Sequence, residues 1–166
     1  MTNQIETERL LLRPYRASDA EAVATQIGDF KVSKWLTRAP YPYSVQDALT
    51  FFDKIAQEPM VYAVCHETDL IGCVSIMGDL GYWCGVAHWG QGFATEAATA
   101  LVGAHFADSD APLPSGHLAG NTGSRRVLEK LGFVPTEIVE VECLSRKACV
   151  ANHRMILTRT AWEART

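Results

Sequence analysis

Residues 89–95, Trp89-Gly90-Gln91-Gly92-Phe93-Ala94-Thr95, have the types and spacing to do chemistry. Gly90 and Gly92 remove side chains at two positions where another group can approach the backbone, and Ala94 leaves only a methyl at a third. From Ala94 onward, Ala97, Ala98, Leu101 and Val102 recur at the i+3, i+4, i+7, i+8 spacing of one helix face. A helix start carries unpaired N–H groups and the positive end of the helix dipole. Opening into a gap cleared by glycines, it suits an anion, and a phosphate or pyrophosphate is the natural guest. Two glycines also serve simply to turn a chain, so the surroundings must decide.

A dinucleotide fingerprint, G-x-G-x-x-G, is the first rival. Gly90 and Gly92 match its first two glycines, Thr95 stands in place of the third, and Asp108 or Asp110 lies near the position of its ribose-binding acid. That loop, however, follows the first strand of an alternating βαβ series. Here the preceding residues have the period of strands: MVYAVCH (60–66), a polar turn at Glu67-Thr68-Asp69, LIGCVSIM (70–77), a turn at Gly78-Asp79, and a strand over Gly81–Cys84. An antiparallel meander feeding the glycine turn argues against a nicotinamide-dependent oxidoreductase.

The other elements follow from their own signals. ERLLLRPY opens as a short β segment, and Ser18-Asp19-Ala20-Glu21 reads as a capping box before a helix that stops at Gly28. Residues 31–43 are irregular, with Trp35, Arg38, Tyr41 and Tyr43 forming either a hydrophobic clasp between two helices or the lip of a pocket; the clasp is the reading we favour. Ser44 and Asp47 start a helix with an Ala48, Phe51, Phe52, Ile55 stripe. After the central helix come a loop at 111–114 and a short strand over Ser115–Leu118. A helix then carries Val127, Leu128 and Leu131 to a stop at Gly132, with Phe133 closing over its end. TEIVEVECL and RMILT alternate as two last strands. The expected fold class is α+β: a mostly antiparallel sheet of about six to seven strands with helices on both faces.

At 166 residues the chain suits a single domain over residues 1–166. A formal net charge of −4 without a basic cluster argues against nucleic acid. The charged N-terminal stretch and the lack of a long apolar run point to a cytoplasmic protein with no membrane partner. Five cysteines, odd in number and without a C-x-x-C pair, read as small apolar residues in a reducing compartment, with no metal.

Four stretches are familiar together and in order: TERLLLRPYRASDA, PYPYSVQDALTFF, GYWCGVAHWGQGFATEA and NTGSRRVLEKLGF, with RMILTRTAW closing the chain. They resemble the GNAT superfamily of acetyl-CoA-dependent N-acetyltransferases, most closely its Rim-type branch of ribosomal-protein N-terminal acetyltransferases and their relatives. The central and late stretches are specific as a pair. The general GNAT motif has Arg or Gln where this chain has Trp89, a departure familiar within the Rim-type branch.

The resemblance implies a GNAT-type sheet and acetyl-CoA as cosubstrate, with its pyrophosphate on the backbone N–H groups of Gln91, Gly92, Phe93, Ala94 and Thr95. It implies a pantetheine arm paired to backbone near Cys84 and Val86 where two strands splay, and Asn121 and Ser124 near the cofactor; Asn and Ser also cap helices at such positions. A primary amine, either a protein N-terminus or a small molecule, would attack the thioester directly. Asp79 and His117 are the candidate bases, each with a structural alternative: a turn residue for Asp79, a hydrogen-bonded histidine for His117. Ser124 or Tyr82 can protonate the leaving thiolate. The acidic net charge leans toward a cationic acceptor, and a monomer or homodimer is expected. A non-catalytic acyl-CoA-binding module is the alternative, since no base is certain.

Overall fold

A computed structural model describes residues 3–55 and 58–165. The first unit is an antiparallel sheet of five strands in sequential order: β1 (Ile5–Glu6), β2 (Leu10–Arg13), β3 (Val61–His66), β4 (Asp69–Met77) and β5 (Asp79–Cys84). Between β2 and β3 the chain makes α1 (Ala20–Ile27), α2 (Phe30–Ser33) and α3 (Val45–Ile55). Beyond β5, α4 (Phe93–Asp108) crosses to a second antiparallel sheet of order β6-β8-β7, built from β6 (Leu113–Leu118), β7 (Val134–Cys143) and β8 (Ala148–Leu157). Helix α5 (Thr122–Leu131) joins β6 to β7, and α6 (Arg159–Ala164) ends the chain. Among the described residues the strands therefore number eight in two sheets, where the sequence reading expects six or seven in one. The α+β class and the meander before the glycine turn are as expected. No helix among the described residues is long and apolar enough to cross a membrane.

Strand alternation divides the core. Tyr62, Val64, Ile71 and Val74 point to one face, where they pack with Ala97, Ala98, Leu101 and Val102 of α4, Leu128 and Leu131 of α5, and Trp162 of α6. Ala63, Cys65 and Leu70 point to the other, against Ala20, Val23 and Ile27 of α1 and Ala48 of α3. Helix α4 is thus sandwiched against both sheets and spans the boundary between them. There the two sheets are tied by Ser115 of β6, fully buried, whose Oγ donates to the Leu80 carbonyl of β5 at 2.8 Å.

Several local expectations are corrected. The box at Ser18 and Glu21 does not form; one lies two residues earlier, with the Asp19 carboxylate accepting the Arg16 N–H at 2.7 Å. The reason is Arg13, whose two terminal nitrogens each reach an Asp19 oxygen at 2.8 Å and hold it in the interior. Burial opposes the charge on Asp19, but the Arg13 and Arg16 bonds outweigh it and keep the carboxyl below its usual range. Gly28 ends α1 in a right-handed conformation, φ −62°, so no left-handed cap is used. Gly132, at φ +100°, is the left-handed stop expected, and the Phe133 N–H closes back on the Leu128 carbonyl at 3.1 Å. The Ser44–Asp47 box is present in both directions, at 2.8 and 3.1 Å. Strands β6 and β8 begin earlier than read, at Leu113 and Ala148, and the short α2 and α6 were not foreseen.

Candidate active site

Among the described residues β5 has only β4 as a strand partner and β6 only β8, so each presents an open edge at the seam. Past the Ser115–Leu80 tie the seam opens into a cleft of about 1290 Å³, lined by both edges, the start of α4, the start of α5 and the segment between α2 and α3. Trp35, Arg38 and Tyr43 line it, so the segment forms a lip of the cleft, while Tyr43 also packs on the core cluster of α1 and α3 and Tyr41 packs on Phe30, so both readings of the segment hold in part. Tyr15, stacked on Phe52 with centroids 4.7 Å apart, adds to the packing between the helices.

The glycine turn forms one end of this cleft. After β5 the chain makes a short helical turn, Val86–His88, and then both Gly90 (φ +74°) and Gly92 (φ +80°) take left-handed conformations. No side chain caps α4, and its first internal bond runs from the Glu96 N–H to the Gly92 carbonyl at 3.0 Å. The N–H groups of Phe93, Ala94 and Thr95 therefore precede the first turn's acceptors and stay free for a ligand. Side chains occupy the carbonyls of this loop instead: the Trp89 indole N–H donates to Cys84 O at 2.8 Å, and Gln91 Nε2 to Ala87 O at 3.3 Å. Val86 lies in the turn beyond the strand, so the open β5 edge ends at Cys84. Burial pushes the Cys84 thiol up to about 12, so it is not a thiolate nucleophile at neutral pH.

The catalytic candidates fall in three places. Tyr82 and Ser124 meet, with their hydroxyls 2.8 Å apart, and burial pushes the Tyr82 phenol up to about 12, leaving it protonated and able to donate. Asn121 Oδ1 accepts the Ser124 N–H at 3.2 Å, so Asn121 caps α5 while also lining the cleft. His117 stacks on His153, centroids 5.0 Å apart, on the face that β6 shares with Leu113 and that packs toward α4 and α5. Its Nδ1 is buried without a hydrogen-bond partner. Burial and then the neighbouring His153 lower its pKa, so its ring is neutral at pH 7 and available as a base. Asp79 starts β5 half-exposed, in an ion pair with Arg154 at 2.7 Å, and does not line the cleft. Tyr82, Ser124, Asn121 and His117 thus line one cleft, and Asp79 stands outside it. Among the described residues, no cluster of three or more His, Cys, Asp or Glu can hold a metal ion.

Residues 9–134 match the model of the acetyltransferase (GNAT) domain family. An uncharacterized N-acetyltransferase, p20, of Bacillus licheniformis is 28% identical over an alignment 110 residues long that covers 58% of this chain and 62% of that protein. Mycobacterium smegmatis RimJ, solved with CoA-disulfide, superposes with TM-score 0.75 at 18% identity, over 91% of this chain and 82% of RimJ. The microcin C7 self-immunity acetyltransferase MccE, solved with acetyl-CoA and AMP, gives TM-score 0.76 at 16% identity, over 92% of this chain and 93% of MccE. With the family match covering most of its length and the same fold in both structures, the chain belongs to the GNAT acetyltransferase family.

Proposed function

We propose that this protein is an acetyl-CoA-dependent N-acetyltransferase that transfers the acetyl group directly to a primary amine, either a protein N-terminus or a small molecule. The observation that carries the reading is the start of α4: three free N–H groups behind two left-handed glycines, at the mouth of a cleft between two open strand edges. RimJ and MccE, of the same fold, were solved with CoA-disulfide and with acetyl-CoA. The N–H groups of Gly92 to Thr95 hold the pyrophosphate, and the open edge of β5 up to Cys84 pairs with the amide-bearing pantetheine arm.

The amine nitrogen attacks the thioester carbonyl carbon, forming the C–N bond as the C–S bond breaks. Backbone N–H groups of the open β5 edge stabilise the developing oxyanion. The electron pair of the C–S bond leaves on sulfur, and the Tyr82–Ser124 hydroxyl pair supplies the proton that makes the free thiol. The proton lost by nitrogen passes to His117, whose neutral ring suits a base, directly or through water; Asp79 is less suited because Arg154 already occupies its carboxylate.

Saturating acetyl-CoA is expected to raise the melting temperature by mass action. Gly92→Val places a β-branched residue at φ +80° beside the phosphate site, and is expected to abolish that shift. A Gly92→Val protein that binds acetyl-CoA like the wild type would contradict the placement of the pyrophosphate.

A further inference from the structure

The anion turn is braced from the far end of the sequence. Arg9, just before β2, donates from Nε to Glu96 Oε1 at 3.1 Å and from Nη1 to the Gln91 carbonyl at 3.0 Å. Its guanidinium lies over the Phe93 ring, 4.4 Å from the centroid. Its Nη2 is 3.5 Å from the point where a β-carbon on Gly92 would sit. Glu96 is fixed in turn: its Oε2 accepts the Thr7 hydroxyl at 3.0 Å and the Arg9 backbone N–H at 3.3 Å. The Thr7 hydroxyl oxygen itself accepts the Leu10 N–H at 3.0 Å. Glu96 therefore anchors Arg9, and Arg9, although it lies in the TERLLLRPYRASDA stretch, has no residue-type signal there that points to the glycine turn.

The geometry of one peptide shows what this brace does. In a planar trans peptide the carbonyl and the following N–H point in opposite directions. A glycine-flanked peptide can turn over at little steric cost, and turning over the 91–92 peptide would present a carbonyl where an anion requires an N–H. By holding the Gln91 carbonyl, Arg9 fixes the Gly92 N–H on the opposite side, in line with the free donors of Phe93, Ala94 and Thr95. The other loop bonds have the same sense, since Trp89 and Gln91 also take carbonyls.

We infer that Arg9 is a positioning residue for cofactor binding, orienting the Gln91–Gly92 peptide of the pyrophosphate turn, and that Glu96 keeps Arg9 in place. The inference rests on the acetyl-CoA reading above. An exposed ion pair alone contributes little to stability, and Arg9 is 40% exposed. Its loss should therefore show in ligand affinity far more than in the stability of the free protein.

The test is titration of the full-length protein with acetyl-CoA, together with steady-state kinetics and the melting temperature of the unliganded form. Arg9→Ala is expected to weaken acetyl-CoA binding about tenfold through lost preorganisation, raising KM while kcat stays within about twofold. Arg9→Lys keeps the charge without the guanidinium fork, and is expected to remain several-fold weak. Glu96→Gln should weaken binding by a smaller factor, and the double variant should be no worse than Arg9→Ala alone, because the two act as one unit. Arg159→Ala, which removes an ion-paired arginine of α6, serves as the control and should bind normally. Arg9→Lys binding like the wild type would show simple charge attraction and overturn the positioning role. Arg9→Ala binding within twofold of a wild type that itself binds acetyl-CoA would overturn the inference alone. A wild type that binds no acetyl-CoA would overturn the functional reading and this inference with it.

Discussion

At the scale of single residues, the proposed chemistry rests on groups whose ionisation the fold has already set. His117 is held neutral by burial and by the stacked His153, so its pKa falls below the ordinary 6.5. A base must be deprotonated to act, so kcat at saturating amine should fall as pH drops through that lowered value. His117→Gln should lower kcat on the order of 10²-fold and remove this acid limb. A limb that persists in the variant would assign it to another group. Asp19 titrates in the opposite sense to a raised group: its folded pKa is lowered, so the stability it confers is present above the unfolded carboxyl value. That stability is lost as pH falls through the lowered one. Asp19→Asn leaves Arg13 charged and buried without its partner, and should cost about 3 kcal/mol by chemical denaturation.

At the scale of elements, the legible parts of the sequence were those with a local physical signal. The glycine turn, the α4 face and the left-handed Gly132 each follow from backbone or periodicity constraints that need no distant partner. The Ser44–Asp47 box was legible for the same reason. The Ser18–Glu21 box failed because Arg13, six residues away and inside the core, competes for Asp19, and no window of sequence shows that a carboxylate will be buried. The aromatic segment is legible only in part: Trp35, Arg38 and Tyr43 look alike whether they face a helix or an opening, and Tyr43 does both. The pairing of Arg9 with residues near position 91 joins segments 82 residues apart, which spacing cannot reveal. An element-level consequence concerns Gly132. At φ +100°, with the Leu157 side chain 3.3 Å from a would-be β-carbon, Gly132→Ala should cost about 1–2 kcal/mol. That loss should appear in equilibrium unfolding, with acetyl-CoA affinity unchanged.

At the scale of the molecule, the proposed function follows from the way two sheets fail to become one. Helix α4 joins them, Ser115 and the Asp79–Arg154 ion pair tie them, and beyond the Ser115 contact the facing edges of β5 and β6 leave backbone groups without strand partners. A single continuous sheet would bury those groups against each other and leave no channel for an extended arm. Closing the gap with ligand should therefore order both sheets together, and hydrogen exchange with acetyl-CoA should slow at β5 and at β6 alike. Slowing confined to the α4 start would mean that the arm does not lie in the seam. The acidic net charge suits a cationic acceptor, yet Arg38 and Lys54 line the outer cleft beside Asp47 and Glu58, so the local field is mixed.

The most direct test of the central claim is release of CoA thiol from acetyl-CoA, followed across short peptides with different N-terminal residues and a set of small amines, with the protein's own cysteines blanked. The account predicts release that requires both the protein and an amine, with acetylated amine formed in equal amount. Turnover confined to peptides identifies an N-terminal acetyltransferase, and turnover confined to small amines a metabolite-modifying one. Acetyl-CoA bound but never consumed by any amine would contradict the account and leave a non-catalytic acyl-CoA-binding module in its place.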